Sequence, residues 1–117
     1  MKQHGINAIF VSLSLLFGFS TAQITVDVGA NGFVFSPDTV TANAGDVIEF
    51  VISSGHSVAQ SSFDNPCHPI SAAAIYSGFT SNGAIFSVTV NSSDTLWFYC
   101  SATGHCPGGM AMVVNPP

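Results

Sequence analysis

An all-β fold, a sandwich or barrel of short antiparallel strands, is what this 117-residue sequence predicts. Three observations predict it. Apolar residues recur with a period of two in several runs, turn signals separate those runs at short spacing, and no stretch carries the three-to-four spacing of an amphipathic helix.

The first residues read as a leader and not as part of the fold. Met1-Lys-Gln-His holds the only Lys or Arg of the chain, an apolar run follows from about Ala8 to Phe19, and Ser20-Thr-Ala22 supplies small residues for cleavage. That is the pattern of a secretory signal peptide, 1–22, leaving a single domain over 23–117. The run is too short for a membrane span, which takes about 20 apolar residues. No apolar tail follows Met112-Val-Val-Asn-Pro-Pro117, so the expectation is a released, extracellular product without a lipid anchor.

Ile24-Thr-Val-Asp-Val28 alternates as a strand with one buried face, and Asn31-Gly32 ends it in a turn. Ser36-Pro37-Asp38 and Asn43-Ala-Gly45-Asp46 mark two further turns. Beyond them Ile48, Phe50 and Ile52 line one face of a strand whose other face carries Glu49. Ala59 to about Thr80 is long and irregular, with a helical turn expected near Ser71-Ala-Ala-Ala74. Ser81-Asn82-Gly83 leads into Phe86, Val88 and Val90, and Asn91-Ser-Ser-Asp94 into Leu96, Phe98 and Cys100, each set with the same period. Asn91-Ser-Ser is also a glycosylation sequon on an expected turn. The last strand is Met110-Ala-Met-Val-Val114.

Cleavage after Ala22 would leave Asp27, Asp38, Asp46, Glu49, Asp64 and Asp94 without any Lys or Arg. Nucleic acid and anionic lipid are thereby excluded as partners, because neutralising phosphate takes cationic side chains. Chemistry that needs a Lys Schiff base or an Arg clamp is excluded with them.

The chemistry concentrates in Cys100-Ser-Ala-Thr-Gly-His105-Cys106-Pro-Gly-Gly-Met110. A thiol, an imidazole and a thioether stand at intervals of five residues, and Gly55-His56-Ser57 offers a second imidazole from upstream. Two His, one Cys and a weak axial Met form the ligand set of a mononuclear blue-copper electron-transfer centre; zinc seldom accepts a thioether. Cys100 closes an apolar strand, and a loop containing Gly104, Gly108 and Gly109 can curl His105 and Met110 back towards it. With Cys100 as a ligand, Cys67 and Cys106 remain as a pair able to form one disulfide. Singly these residues have plainer readings, since a lone Cys packs as a small hydrophobe and a lone His sits at the surface. Met112 is the competing thioether and is assigned to the core, His68 is assigned to the surface, and Trp97 and Tyr99 are read as packing.

Phe35-Ser-Pro-Asp-Thr-Val-Thr-Ala-Asn-Ala-Gly-Asp-Val-Ile-Glu-Phe50, Gly55-His-Ser-Val-Ala-Gln-Ser-Ser-Phe63, Pro66-Cys67 and the Cys-x4-His-Cys-x3-Met run from Cys100 to Met110 resemble the cupredoxin family. The likeness is to its phytocyanin-like members in plants and their extracellular fungal relatives, and it covers most of residues 23–117. It implies a Greek-key β-sandwich or barrel with one long irregular loop and one short helix. It further implies one type 1 copper ion on His56, Cys100, His105 and Met110, and a Cys67–Cys106 disulfide. The function implied is single-electron transfer by a secreted monomer, to or from a redox partner protein or small reductant. The alternative is an extracellular copper-binding structural or cell-surface module. An enzyme is not expected. A trinuclear copper cluster needs many more His than His56, His68 and His105, and neither a Gly-x-Ser-x-Gly nor a His-Glu-x-x-His motif is present.

Overall fold

Strands form where alternating residues can bury one face. The computed structural model describes residues 20–117, and the apolar leader expected over the preceding residues lies outside them. The strands among the described residues are β1 (Gln23–Val28), β2 (Phe35–Ser36), β3 (Thr39–Val40), β4 (Val47–Ile52), β5 (Ala59–Ser61), β6 (Ala84–Thr89), β7 (Leu96–Tyr99) and β8 (Ala111–Val114). They make two four-stranded sheets, β2-β1-β4-β6 and β3-β8-β7-β5. Together the sheets form an all-β sandwich. No helix forms over Ser71–Ala74, where the chain makes only a turn closed by Ala74 N–H donating to Ser71 O (3.2 Å). A single turn pays the nucleation cost of a helix without neighbours to extend it.

The core is the set that the period of two selects. Val26, Val28, Ile48, Phe50, Ile52, Val88, Val90, Phe98, Met112 and Val114 are buried between the sheets. Phe50 meets Phe98 edge-on across them, with ring centroids 5.4 Å apart. Met112 lies in this core, as its alternation with Val114 requires.

The expectation of purely antiparallel sheets needs correction. β1 pairs with β4 in parallel from Gln23↔Val47 to Val28↔Ile52, and β3 pairs with β8 in parallel. Turn signals between Val28 and Val47 suggest successive hairpins, but β2 stays with β1 while β3 joins the other sheet. That excursion is long enough to return the chain running the same way, as a parallel pair requires. β4, β5, β6 and β7 then alternate between the sheets, so the β4–β5 connection crosses from one to the other. This crossing sits beside the end of β7 and positions the site.

Candidate metal centre

Cys100 follows β7 directly, and its N–H donates to Met110 O (3.1 Å), which carries the β7–β8 pairing one step further. Between them the chain coils tightly. His105 N–H donates to Ala102 O (3.0 Å), Gly109 N–H to Cys106 O (2.8 Å) and Met110 N–H to His105 O (3.0 Å). Gly104 and Gly109, with φ of 81° and 110°, take the left-handed backbone that such a coil needs. Met110 is thus bonded through its backbone to both Cys100 and His105, and its side chain is fully buried.

His56 lies on the β4–β5 crossing, with its N–H donating to Ser53 O (3.2 Å). The crossing brings its Nδ1 to 3.8 Å from Cys100 Sγ, while His105 Nδ1 lies 3.6 Å from the same sulfur. The donor atoms of His56, Cys100 and His105 all fall within 4.8 Å of one another. Cys100 is fully buried, His56 is buried, and His105 is partly exposed. Burial, helped by the neighbouring His105, pushes the His56 imidazole below its usual pKa, which favours the neutral form that donates a lone pair. Two ring nitrogens aimed at one buried sulfur fit a borderline-soft metal ion.

Several contacts around these donors were not legible as site residues. Ser57 N–H donates to Cys100 Sγ (3.4 Å), its Oγ lies 2.6 Å from Ser101 Oγ, and it accepts Ser101 N–H (2.9 Å). Tyr76 OH reaches Ser101 Oγ at 3.2 Å. Gly29 packs against the far edge of His56, where an added Cβ would clash with Cδ2 of the imidazole. Phe33 stacks on His105. The only signal for Phe33 in the sequence is a large aromatic beside Asn31-Gly32, in a turn that no strand face can bury.

Cys67 and Cys106 form a disulfide across 39 positions, with Cα atoms 5.6 Å apart. They cluster with Ala59 and Tyr99 on the outer side of β5 and β7, pinning the irregular loop beneath the coil that carries His105. Tyr99 is therefore packing, as expected, and burial followed by the nearby Tyr76 raises its phenol pKa. Half-buried Trp97 lies against Phe63 at 5.3 Å. His68 is exposed, its Nδ1 2.9 Å from Pro66 O, and stands apart from the cluster of donors. Asn91 is exposed just beyond β6.

Fold and donor cluster together define a cupredoxin. Residues 22–115 match the family described as copper binding proteins, plastocyanin/azurin family, and the chain belongs to that family. Its cofactor is one type 1 copper ion, which the His, Cys and Met donors suit. Among curated proteins the chain is 36% identical over 115 residues to a probable GPI-anchored cupredoxin-1 of Arthroderma benhamiae, covering 96% of this chain and 61% of that protein. It is 38% identical over 114 residues to an extracellular serine-rich protein of the same organism, covering 92% of this chain and 44% of that one. The chain thus spans only about half the length of these relatives. Solved structures with the same fold include pseudoazurin from Hyphomicrobium denitrificans, with TM-score 0.59 and 21% identity over 79% of this chain and 73% of that one. A mutant fern plastocyanin has TM-score 0.58 and 25% identity over 77% of this chain and 96% of that one.

Proposed function

We propose that the protein carries single electrons outside the cell, with residues 1–22 removed on export and 23–117 forming the working domain. His56, Cys100, His105 and Met110 are the ligands in this reading. The observation that supports it is the convergence of three donor atoms within 4.8 Å around a fully buried cysteine. When bound, copper supplies the one-electron chemistry by alternating between Cu(I) and Cu(II).

The chain's own residues do the rest. The Cys100 sulfur is shielded from water and accepts the Ser57 N–H, which stabilises charge on it. The β-sandwich holds His56 and Cys100 on separate connections, so a change of charge at the site finds a fixed cage and needs little rearrangement. Met110, fully buried at the end of the coil, is the thioether donor in this reading. Partly exposed His105 is the edge through which the electron passes to a redox partner protein or small reductant. Four protein ligands leave no position for a substrate, so no catalytic role is assigned, and the protein works as a monomer. No helix among the described residues is long and apolar enough to cross a membrane.

The test is the visible absorption spectrum of the Cu(II)-loaded protein beside a Cys100→Ser variant, followed by the electron self-exchange rate. An intense band giving a blue colour in the parent alone, with fast exchange, is the expected result. A folded parent without that band would refute the ligand assignment. A second reading, an extracellular copper-binding structural or cell-surface module, draws on the names of the two relatives, one GPI-anchored and one extracellular. The blue band together with slow exchange would favour it.

A further inference from the structure

We propose that Phe33 is a positioning residue of the metal centre, its ring holding the His105 imidazole in the orientation that faces Cys100 and slowing release of the ion. This rests on His105 being a ligand, as assigned above.

Phe33 is 62% exposed, so most of its ring packs against no core residue and is free for another use. Its surroundings supply one. The Phe33 ring lies 3.9 Å from the His105 ring, centroid to centroid, with only 22° between the planes. It also meets the edge of His56 at 5.9 Å and 66°. The turn that presents it is closed by Gly29 N–H donating to Val34 O (3.1 Å) and Val34 N–H to Gly32 O (2.8 Å). Gly29, at the base of the same turn, packs on the far edge of His56. One short turn therefore touches both imidazoles, from the connection between β1 and β2, which supplies no ligand.

His105 is the less buried of the two and has fewer walls to fix its ring. Its Nδ1 faces Cys100 Sγ at 3.6 Å. Turning that nitrogen away requires the imidazole to rotate out of the stack, so the Phe33 ring must first be displaced. The stack also keeps water off one face of the imidazole. Its contribution corresponds to roughly three- to tenfold in an equilibrium or a rate.

Two variants separate the ring from mere bulk: Phe33→Leu keeps an apolar side chain, and Phe33→Tyr keeps the stack. In the metal-free protein, the His105 ring protons should show an upfield ring-current shift by NMR that Phe33→Leu loses and Phe33→Tyr retains. In the copper-loaded protein, transfer of the ion to excess chelator should accelerate roughly three- to tenfold in Phe33→Leu and by less than about twofold in Phe33→Tyr. Because the stack also forms without metal, the melting temperature of the metal-free protein should fall by no more than several degrees in Phe33→Leu and stay unchanged in Phe33→Tyr. An unchanged ring shift in Phe33→Leu, or equal release rates, would overturn the proposal. So would a fall in melting temperature larger than the loss of one aromatic pair gives, with release accelerated in proportion. A parent that takes up no copper would instead refute the ligand assignment and slow release with it, while the metal-free ring shift would still decide the positioning.

Discussion

Ser57 joins the cluster of donors to the protein surface. Its backbone N–H serves the Cys100 sulfur, while its hydroxyl engages Ser101, which reaches Tyr76 OH. The two tasks can be separated. Ser57→Ala keeps the amide and removes the hydroxyl, leaving Ser101 N–H without its acceptor. The expected cost is about 1–3 kcal/mol of stability by urea titration, the range for an orphaned polar group. The blue band should persist, because the bond to sulfur comes from the backbone. His56 and Cys100 were legible as candidate donors because metal ligands are chosen by atom type. Ser57 was not, since any residue can supply a backbone amide.

Among the elements, the disulfide and the turn before β4 carry separate loads. Cys67–Cys106 ties the irregular loop to the ligand coil, and replacing both residues with Ser should lower stability by at most about 4 kcal/mol, the loop-closure entropy for 39 positions. Urea midpoints of the two proteins without reductant would measure it. In the turn, the buried Asp46 carboxylate accepts N–H groups of Ala22 (2.9 Å) and Asn43 (2.9 Å), and these hold its pKa below the ordinary 3.8. A depressed carboxyl stabilises the fold above the unfolded value and loses that contribution as pH falls through the folded one. Stability should therefore decline below about pH 4. A chain beginning at Gln23 lacks the Ala22 donor, so its decline should be shallower than that of a chain retaining Ala22, as acid titration of the circular dichroism would show. The turn itself was legible from Asn43-Ala-Gly45-Asp46, a local signal. The long loop was not, because the disulfide and packing on Tyr99 set its path, and the three alanines make one hydrogen-bonded turn but no helix.

For the whole molecule, the metal should act as a brace. His56 sits on the crossing between the sheets, and the other donors lie at the end of β7 and in the coil before β8. Binding to the folded state alone stabilises it by mass action, about 2.7 kcal/mol at a hundredfold excess of free ion over Kd. Cu(II) should therefore raise the melting temperature of the parent and have little effect on Cys100→Ser, as calorimetry would show.

The sequence by itself determined β1, β4, β6, β7 and β8, most of the turns and the three donors that converge, His56, Cys100 and His105, while β5 lies in the stretch read as irregular. Each depends on residues close in the chain, or on side-chain chemistry that no other residue provides. The alternation of Ile48, Phe50 and Ile52 buries one face whichever strand lies beside it. The tertiary structure alone decided that β1 and β4 run parallel and that β3 joins the other sheet. It also decided that Phe33 covers His105 and that Gly29 backs His56. Those are contacts between residues distant in sequence. They are chosen by how two twisted sheets bury their apolar faces together, and no local pattern encodes that choice.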